Sequence, residues 1–372
     1  MPTLPLLVEQ QTDLDILCDA IARCDAIGLD TEFVRTRTYA PQLGLVQIAA
    51  GDTAVCVDPL ADLNFEQFWE LLFDRARAII MHSATQDLEV MWFHRGTIVH
   101  NLIDTQLCAA LLGYQPQIGY AGLVEDLAGV SLSKEQTRTD WTRRPLTVEQ
   151  LDYAAKDVVY LGGMHDVLKE RLTSLGRYEW ALEDSVAICD VRLYEPDTEN
   201  AWQRVKSIPF MPAEQQARAR LLAQWREQRA VNLDKPRKWI MDDKALVAIA
   251  AANPRDAQTL ASLEDVPAAL AKRQADELLA AVERGNADYA NNPENYQQEI
   301  PDRDRDKAQS KQLTKLIRTK AEELQIPAEV LASRRDINAL MRGATGTRIL
   351  SGWRYEVIGR SLEAALAAMT SP

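Results

Sequence analysis

The strongest constraint in this sequence is a set of acidic side chains embedded in segments that otherwise favour burial. Asp30 and Glu32 interrupt the apolar run AIGLDTEF, Asp87 sits in HSATQDLEVMW, and Asp157 follows Tyr153 by four residues in LDYAAKDVVYL. A carboxylate in an apolar, structure-forming segment is costly unless it is paired or bound to a metal. Four that converge would make a hard-oxygen site suited to magnesium or manganese.

Taken singly, each residue has an ordinary explanation. Alternate residues of a strand share a face, so Asp30 and Glu32 point one way while Leu29, Thr31 and Phe33 point the other way into a core. That pattern also describes the solvent-facing side of an edge strand. Ser83 and Gln86 have the spacing of a capping box, which opens a helix with Asp87 in its first turn. There the helix dipole favours a carboxylate by about 0.3–1 kcal/mol whatever else it does. His82, just before this helix, reads as structural, and Gln86 reads first as a capping residue. Tyr153 and Asp157 are stacked on one helix face, beside the apolar stripe Ala154, Val158 and Leu161. Asp152 and Lys156 form a solvent-facing pair next to them.

The order of elements sets these residues in context. AIGLDTEF, LGLVQIAA and TAVCVDPL, within the first 60 residues, read as strands joined by turns. FEQFWELLFD reads as a helix, RAIIMHS as a strand, and the Ser83 helix is expected to stop at Gly96. IVHNLIDTQLCAALLG gives a short strand and a helix, and GYAGLVEDLAGV another short helix. Thr147 and Gln150 repeat the capping-box spacing and open a helix predicted to run toward Arg171. Strands followed by alternating strand and helix predict a mixed α/β domain over residues 1–176. Helical connectors follow over 177–208, then a small helical bundle over 209–290 and a second helical unit over 291–372. The stretch NNPENYQQEIPDRDRDKAQS reads as a linker or exposed loop before that last unit.

Composition narrows the class. At 372 residues, 47% apolar and 26% charged, the chain has ordinary globular make-up and room for two or three domains. No apolar run reaches membrane-span length, so no membrane association is expected. The N-terminus lacks the basic region of a secretory signal. The five cysteines form no CxxC pair, which argues against a zinc site or disulfide framework and suits a reducing, cytoplasmic setting. A net charge of −13 excludes a chain uniformly coated in positive charge, but leaves room for local basic patches.

Considered jointly, a strand Asp-x-Glu, a helix Asp and a helix Tyr-x-x-x-Asp closely resemble the DEDD superfamily of 3′→5′ exonucleases, in its tyrosine-bearing subgroup. Asp30 and Glu32 match the first motif, Asp87 the second, and Tyr153 with Asp157 the third. SKEQTRTDWTRRPLTVEQLDYAAKDVVYL resembles the ribonuclease D family. So does LLAQWREQRAVNLDKPRKWIMDDKALVAIAAANP, which is similar to the helicase-and-RNase-D C-terminal (HRDC) domain through Trp225, Arg226, Pro236 and Asp243. The resemblance implies a ribonuclease H-like exonuclease domain, a mixed sheet flanked by helices, followed by two small all-α HRDC-type domains.

It also implies a chemistry: a metal-dependent 3′→5′ exoribonuclease that releases nucleoside 5′-monophosphates from structured RNA such as tRNA precursors. Two divalent cations, Mg2+ or Mn2+, about 3.5–4 Å apart would stabilise the phosphorane charge and activate water. By the same resemblance, Asp30 would bridge both ions, Glu32 and Asp157 would complete one site, and Asp87 would hold the second largely through water. Tyr153 would orient the attacking water, since a phenol with a pKa of about 10 is a poor base at neutral pH. A DNA exonuclease with the same catalytic residues, an inactive RNA-binding module and a helical scaffold for other proteins are the competing readings.

Basic residues suggest where RNA would lie. Lys134, Arg138, Arg143 and Arg144 surround Trp141 just before the Tyr153 helix, a composition suited to phosphate contact and base stacking or, equally, to a solvated loop with one anchoring tryptophan. The HRDC-like segment carries Arg218, Arg220, Arg226, Arg229, Lys235, Arg237 and Lys238, with Trp225 and Trp239 read as core anchors of the bundle.

Overall fold

The computed structural model describes residues 5–132, 139–298 and 303–370. Its sheet has six strands: β1 (Leu7–Val8), β2 (Ala26–Val34), β3 (Gln42–Ala50), β4 (Thr53–Val57), β5 (Ala78–Met81) and β6 (Leu102–Asp104), in the spatial order β1-β4-β3-β2-β5-β6. β2, β3 and β4 form the antiparallel meander that their turn-separated apolar runs predict, and the remaining pairs are parallel. β2 therefore lies inside the sheet, between β3 and β5. The edge-strand explanation of Asp30 and Glu32 does not apply.

The helices of this part are α1 (Gln11–Ala22), α2 (Glu66–Leu72), α3 (Thr85–Arg95), α4 (Thr105–Ala110), α5 (Tyr120–Ala128), α6 (Val148–Val159), α7 (Leu161–Ser174) and α8 (Tyr178–Ala187). α1 departs from the all-strand expectation for the first 60 residues. Leu14, Leu17, Cys18 and Ile21 are buried at helical spacing, a period of three and four rather than two. α3 ends at Gly96 in the left-handed conformation, as expected. Its start differs: Ser83 has φ +62° and makes no cap. The capping box at Thr147 and Gln150 is present in both halves. The helix it opens stops at Val159, because Tyr160 (φ −95°, ψ −5°) breaks it from α7.

The two sheet faces serve different purposes. Leu29, Val46, Ile48 and Val57 pack with Leu14, Leu17, Phe68 and Leu88 in one core. In the β2–β3 register, Asp30 stands opposite Gln47 and Glu32 opposite Leu45, and Leu45 lies in the cluster that α6 covers through Leu151, Ala154 and Ala155. The strand acids thus sit under α6.

Contacts divide the chain into two compact units, and the division does not follow boundaries at 176, 208 and 290. The first unit joins the α/β part, through Tyr194, with the helices from Arg303 onward: α14 (Arg303–Leu324), α15 (Ala328–Leu331), α16 (Arg334–Met341) and a last helix, Arg360–Thr370. These helices do not form a core of their own. Leu313, Ile317, Leu331 and Leu340 share one with Leu111, Leu123, Leu168 and Leu172. Trp353 stacks on Trp180 at 4.5 Å, and the Arg354 guanidinium grips the Asp184 carboxylate, with Nη2 to Oδ2 at 2.8 Å. The stretch read as a linker is in part the first turns of α14, rich in residues of good helix propensity.

The second unit comprises Arg35–Pro41 and Glu195–Pro301. Its helices are α9 (Ala213–Asn232), α10 (Arg237–Ile240), α11 (Asp243–Ala252), α12 (Ala257–Ala261) and α13 (Ala268–Asn291). Leu222, Leu246, Ile249, Leu260 and Leu278 form its core. The segment Arg35–Pro41 is tied into this unit. The Tyr39 hydroxyl donates to Glu227 Oε1 at 2.6 Å, and the Tyr39 and Ala40 N–H groups donate to Asp234 Oδ1 at 2.9 Å. Among the described residues no helix is long and apolar enough to cross a membrane.

Trp353→Ala is expected to destabilise the first unit by about 3–5 kcal/mol, the usual range for a buried aromatic. Urea unfolding should show the loss, and limited proteolysis should cut within the chain beyond Arg303. Unchanged stability would mean that these helices are not integral to the unit.

Candidate active site

One cleft of about 450 Å³ collects all five residues of the acidic motif: Asp30, Glu32, Asp87, Tyr153 and Asp157 line it. Each arrives by a different route. β2 delivers Asp30 and Glu32, and α6 delivers Tyr153 and Asp157 one helical turn apart. Asp87 comes from the opposite side of the sheet, in the first turn of α3. Thr31 fixes it there, its hydroxyl donating to Asp87 Oδ1 at 2.5 Å. Thr31 thus carries a site residue instead of only filling the core.

Asp104 is the other positioning residue that the sequence reading missed. Its carboxylate accepts from the Ser83 and Ala84 N–H groups at 3.1 and 2.9 Å, and caps α4 through the Gln106 N–H at 2.8 Å. The turn before α3 is held by an acid from β6 and not by its own serine. The signal was present in the sequence: Asp104 directly precedes the helical run TQLCAALL, the place of an N-cap.

The electrostatics are one-sided. Among the described residues no lysine or arginine lines the cleft. Burial, then the charges of Asp87, Asp157 and Glu32, drive the Asp30 carboxyl well above its ordinary range. Burial with Asp157 and Asp87 pushes Glu32 up to about 8. Burial takes Asp87 to about 7 despite the Thr31 hydrogen bond, and Asp157 to about 7. Among the described residues no three such groups are already drawn to ligating distance of a common point. The donor set is nevertheless all carboxylate oxygen, which suits hard divalent cations. Beside Asp30, the buried Gln47 amide has both polar atoms without a partner among the described residues, a further sign of a polar site short of counterparts.

His82, beside the acids, is structural. His82 lines the cleft, but Nδ1 lies 2.9 Å from the Thr105 hydroxyl and Nε2 donates to the Ile118 carbonyl at 2.9 Å. Both nitrogens are occupied, and burial lowers the ring's pKa. Gln86 is exposed at the cleft and caps nothing.

The basic patch before α6 needs correction. Lys134 and Arg138 lie outside the described residues. Trp141 is 3% exposed and stacks on the Tyr153 ring at 6.4 Å, so it anchors that ring and is not free for a base. Arg144 is also committed inward. Nε and Nη2 clasp Asp58 at 2.6 Å, Nη2 also donates to the Gly44 carbonyl, and Nη1 donates to the Trp141 and Arg143 carbonyls. These bonds use all five donors of a guanidinium. Gly44 is required beneath them, since a Cβ there would fall 2.7 Å from the Trp141 carbonyl oxygen. Arg143 alone of the three described members is exposed.

The HRDC-like arginines are likewise engaged within the protein. Arg218 donates to the Ala250 carbonyl, Arg226 to Asp243, Arg229 to Glu277 and Arg237 to Glu227, while Arg220 lies between the rings of Trp202 and Tyr296. Trp225 donates to Glu277. Trp239, expected in the core, is 60% exposed.

Comparison with known proteins agrees with this geometry. Residues 5–173 match the family described as 3′-5′ exonuclease, and residues 215–282 match the HRDC domain. Ribonuclease D of Granulibacter bethesdensis is 34% identical over 96% of this chain and 91% of its own length. That of Sphingobium indicum is 35% identical over 96% and 92%. The chain belongs to the ribonuclease D family. A crystal structure of Escherichia coli RNase D, described as an exoribonuclease involved in structured RNA processing, superposes with a TM-score of 0.88 at 32% identity, covering 99% of both chains. The chain is accordingly a 3′→5′ exoribonuclease with RNA as its substrate, and the DNA-directed and inactive readings are not favoured.

Two predictions follow from the site. Because the four folded-state pKa values lie above their unfolded values of about 4, the cation-free fold binds protons more tightly than the unfolded chain. Its stability therefore falls as pH rises from about 4 to about 8. Magnesium should raise Tm more at about pH 8 than at about pH 5, because only ionised carboxylates bind it; equal gains at both would refute the charge account. Arg144→Lys, with fewer donors, is expected to cost about 1–3 kcal/mol and to lower kcat through Trp141 and Tyr153. A variant with wild-type stability and turnover would remove Arg144 from this role.

Proposed function

We propose that the cleft removes nucleoside 5′-monophosphates one at a time from the 3′ ends of structured RNA, tRNA precursors among them, with two divalent cations held by Asp30, Glu32, Asp87 and Asp157. The observation that carries this reading is a single cleft lined by four carboxylates and a tyrosine, with no basic side chain lining it among the described residues. When bound, the cations neutralise the phosphate oxygens and make water nucleophilic near neutral pH.

The protein's own groups do the rest. Asp30, central to the mutual repulsion, stands where a shared cation offsets the most charge. Glu32 and Asp157 form one side of the set, and Asp87, tethered to Thr31, forms the other. Tyr153 holds its proton. Burial and the neighbouring carboxylates move its pKa upward from the ordinary phenol value. Its hydroxyl is thus suited to orient a water by hydrogen bonding, and the Trp141 stack limits the directions it can take.

Asp30→Asn and Asp157→Ala are expected to lower kcat by at least about 10³-fold, comparable to losing a principal electrostatic stabiliser. RNA affinity in excess chelator should change little. Tyr153→Phe keeps the ring and its stack, and should lower kcat by about 10²–10⁴-fold with little effect on KM. Labelled-oligoribonucleotide degradation measures all three. Full activity in any carboxylate variant, or in excess chelator, would sink the metal-dependent reading.

A further inference from the structure

Gln47 lies in the middle of β3 and is fully buried, yet neither its Nε2 nor its Oε1 has a hydrogen-bond partner among the described residues. Buried polar side chains are almost always paired, so each exception calls for a reason. An amide left dry carries the whole cost of its desolvation. Leucine or methionine would fill the same space without that cost, so packing alone does not account for a carboxamide at this position.

The strand register defines its surroundings. Gln47 stands opposite Asp30 of β2 on one side and Cys56 of β4 on the other. Residues directly opposite in an antiparallel pair project from the same face, with Cβ atoms about 4.5–5.5 Å apart. Leu45 shares that face of β3 and packs with Leu151, Ala154 and Ala155 of α6. Asp30, Gln47 and Cys56 thus form a row across β2, β3 and β4 beneath α6. The Cys56 thiol is engaged, donating to the Leu151 carbonyl at 3.6 Å, and Leu45 offers nothing polar. Of these neighbours, the Asp30 carboxylate is the group with acceptor capacity left, since an ionised carboxylate accepts at up to about four positions. Asp30 lines the cleft and Gln47 does not, so the amide stands behind the acid and away from substrate.

We propose that Gln47 is a positioning residue for the divalent cations: Nε2 donates to the Asp30 carboxylate when they are bound, and so fixes the orientation of the oxygens that hold them. This rests on the reading of the cleft as a divalent-cation site and adds the group behind its central acid. Carboxylates that ligate a cation are themselves held by outer hydrogen bonds, and a charged acceptor makes such a bond shorter and stronger than a neutral one. Without cations the amide gains nothing from its position. Gln47 therefore favours the loaded site over the empty one.

The test uses the full chain without RNA, with manganese as the probe and the electron paramagnetic resonance of the free ion as the readout. Gln47→Met keeps the length of the side chain and removes both polar atoms. It should weaken manganese affinity by about 10- to 100-fold, the usual effect of losing an outer partner of a ligand. In chelator it should unfold at a urea concentration no lower than the unsubstituted protein, because an apolar group has replaced an unpaired amide. Its kcat deficit in oligoribonucleotide degradation should shrink as magnesium is raised. Leu45→Met alters the same buried face without touching a polar group, and should leave manganese affinity unchanged. Affinity lost in Asp30→Asn but retained in Gln47→Met would overturn the proposal alone. Affinity retained in Asp30→Asn as well would overturn the cation reading of the cleft and this proposal with it. Lower stability of Gln47→Met in chelator, or an equal loss of affinity in Leu45→Met, would make the effect one of packing and overturn the positioning role.

Discussion

Mutual repulsion among Asp30, Glu32, Asp87 and Asp157 is the constraint around which the first unit is organised. Like charges brought into a cleft that no basic side chain lines among the described residues do not stay together unaided. The fold holds them from separate directions. A strand inside the sheet fixes two of them, a helix beneath one face fixes a third, and a helix from the other face supplies the fourth. None of these elements can relax away from the others without opening a core. Packing stability is in this way converted into electrostatic potential.

The supporting residues explain how that potential is aimed. Thr31 and Asp104 set the position of Asp87, one by a hydroxyl and the other by holding the backbone before α3. Trp141, Arg144 and Gly44 set the position of Tyr153, through a ring stack, a saturated guanidinium and a close backbone approach. Such residues stand behind the candidate site and set the register of the groups that line it.

Much of this was legible in the sequence, for reasons that differ by element. β2 to β4 were visible because short apolar runs of strand length separated by turns have few other interpretations. The Thr147 capping box was visible because both of its hydrogen bonds are local. The same spacing at Ser83 misled, because its backbone is left-handed and the N–H groups of Ser83 and Ala84 are held by Asp104, 21 residues downstream. Asp30, Glu32, Asp87, Tyr153 and Asp157 could be gathered only by their joint order, since each alone has an ordinary role. Arg144 and Trp141 were misjudged because a basic and aromatic composition does not say which way the side chains turn. Their inward commitments are to Asp58, Gly44 and Tyr153, and two of these precede them by more than 80 residues. Trp239 was misjudged in the opposite sense, a large apolar residue assumed buried.

The housing of Arg35–Pro41 within the second unit bears on how domain deletions should be understood. β2, which carries Asp30 and Glu32, runs directly into that segment. A chain cut off after Tyr194 would strand the Tyr39 ring and two backbone donors in water, with Glu227, Asp234 and Arg237 gone. The loosened stretch would begin at the residue after β2 ends. Truncation is therefore not a neutral amputation of an accessory module, because it also frays the thread leaving the strand that bears the first two acids.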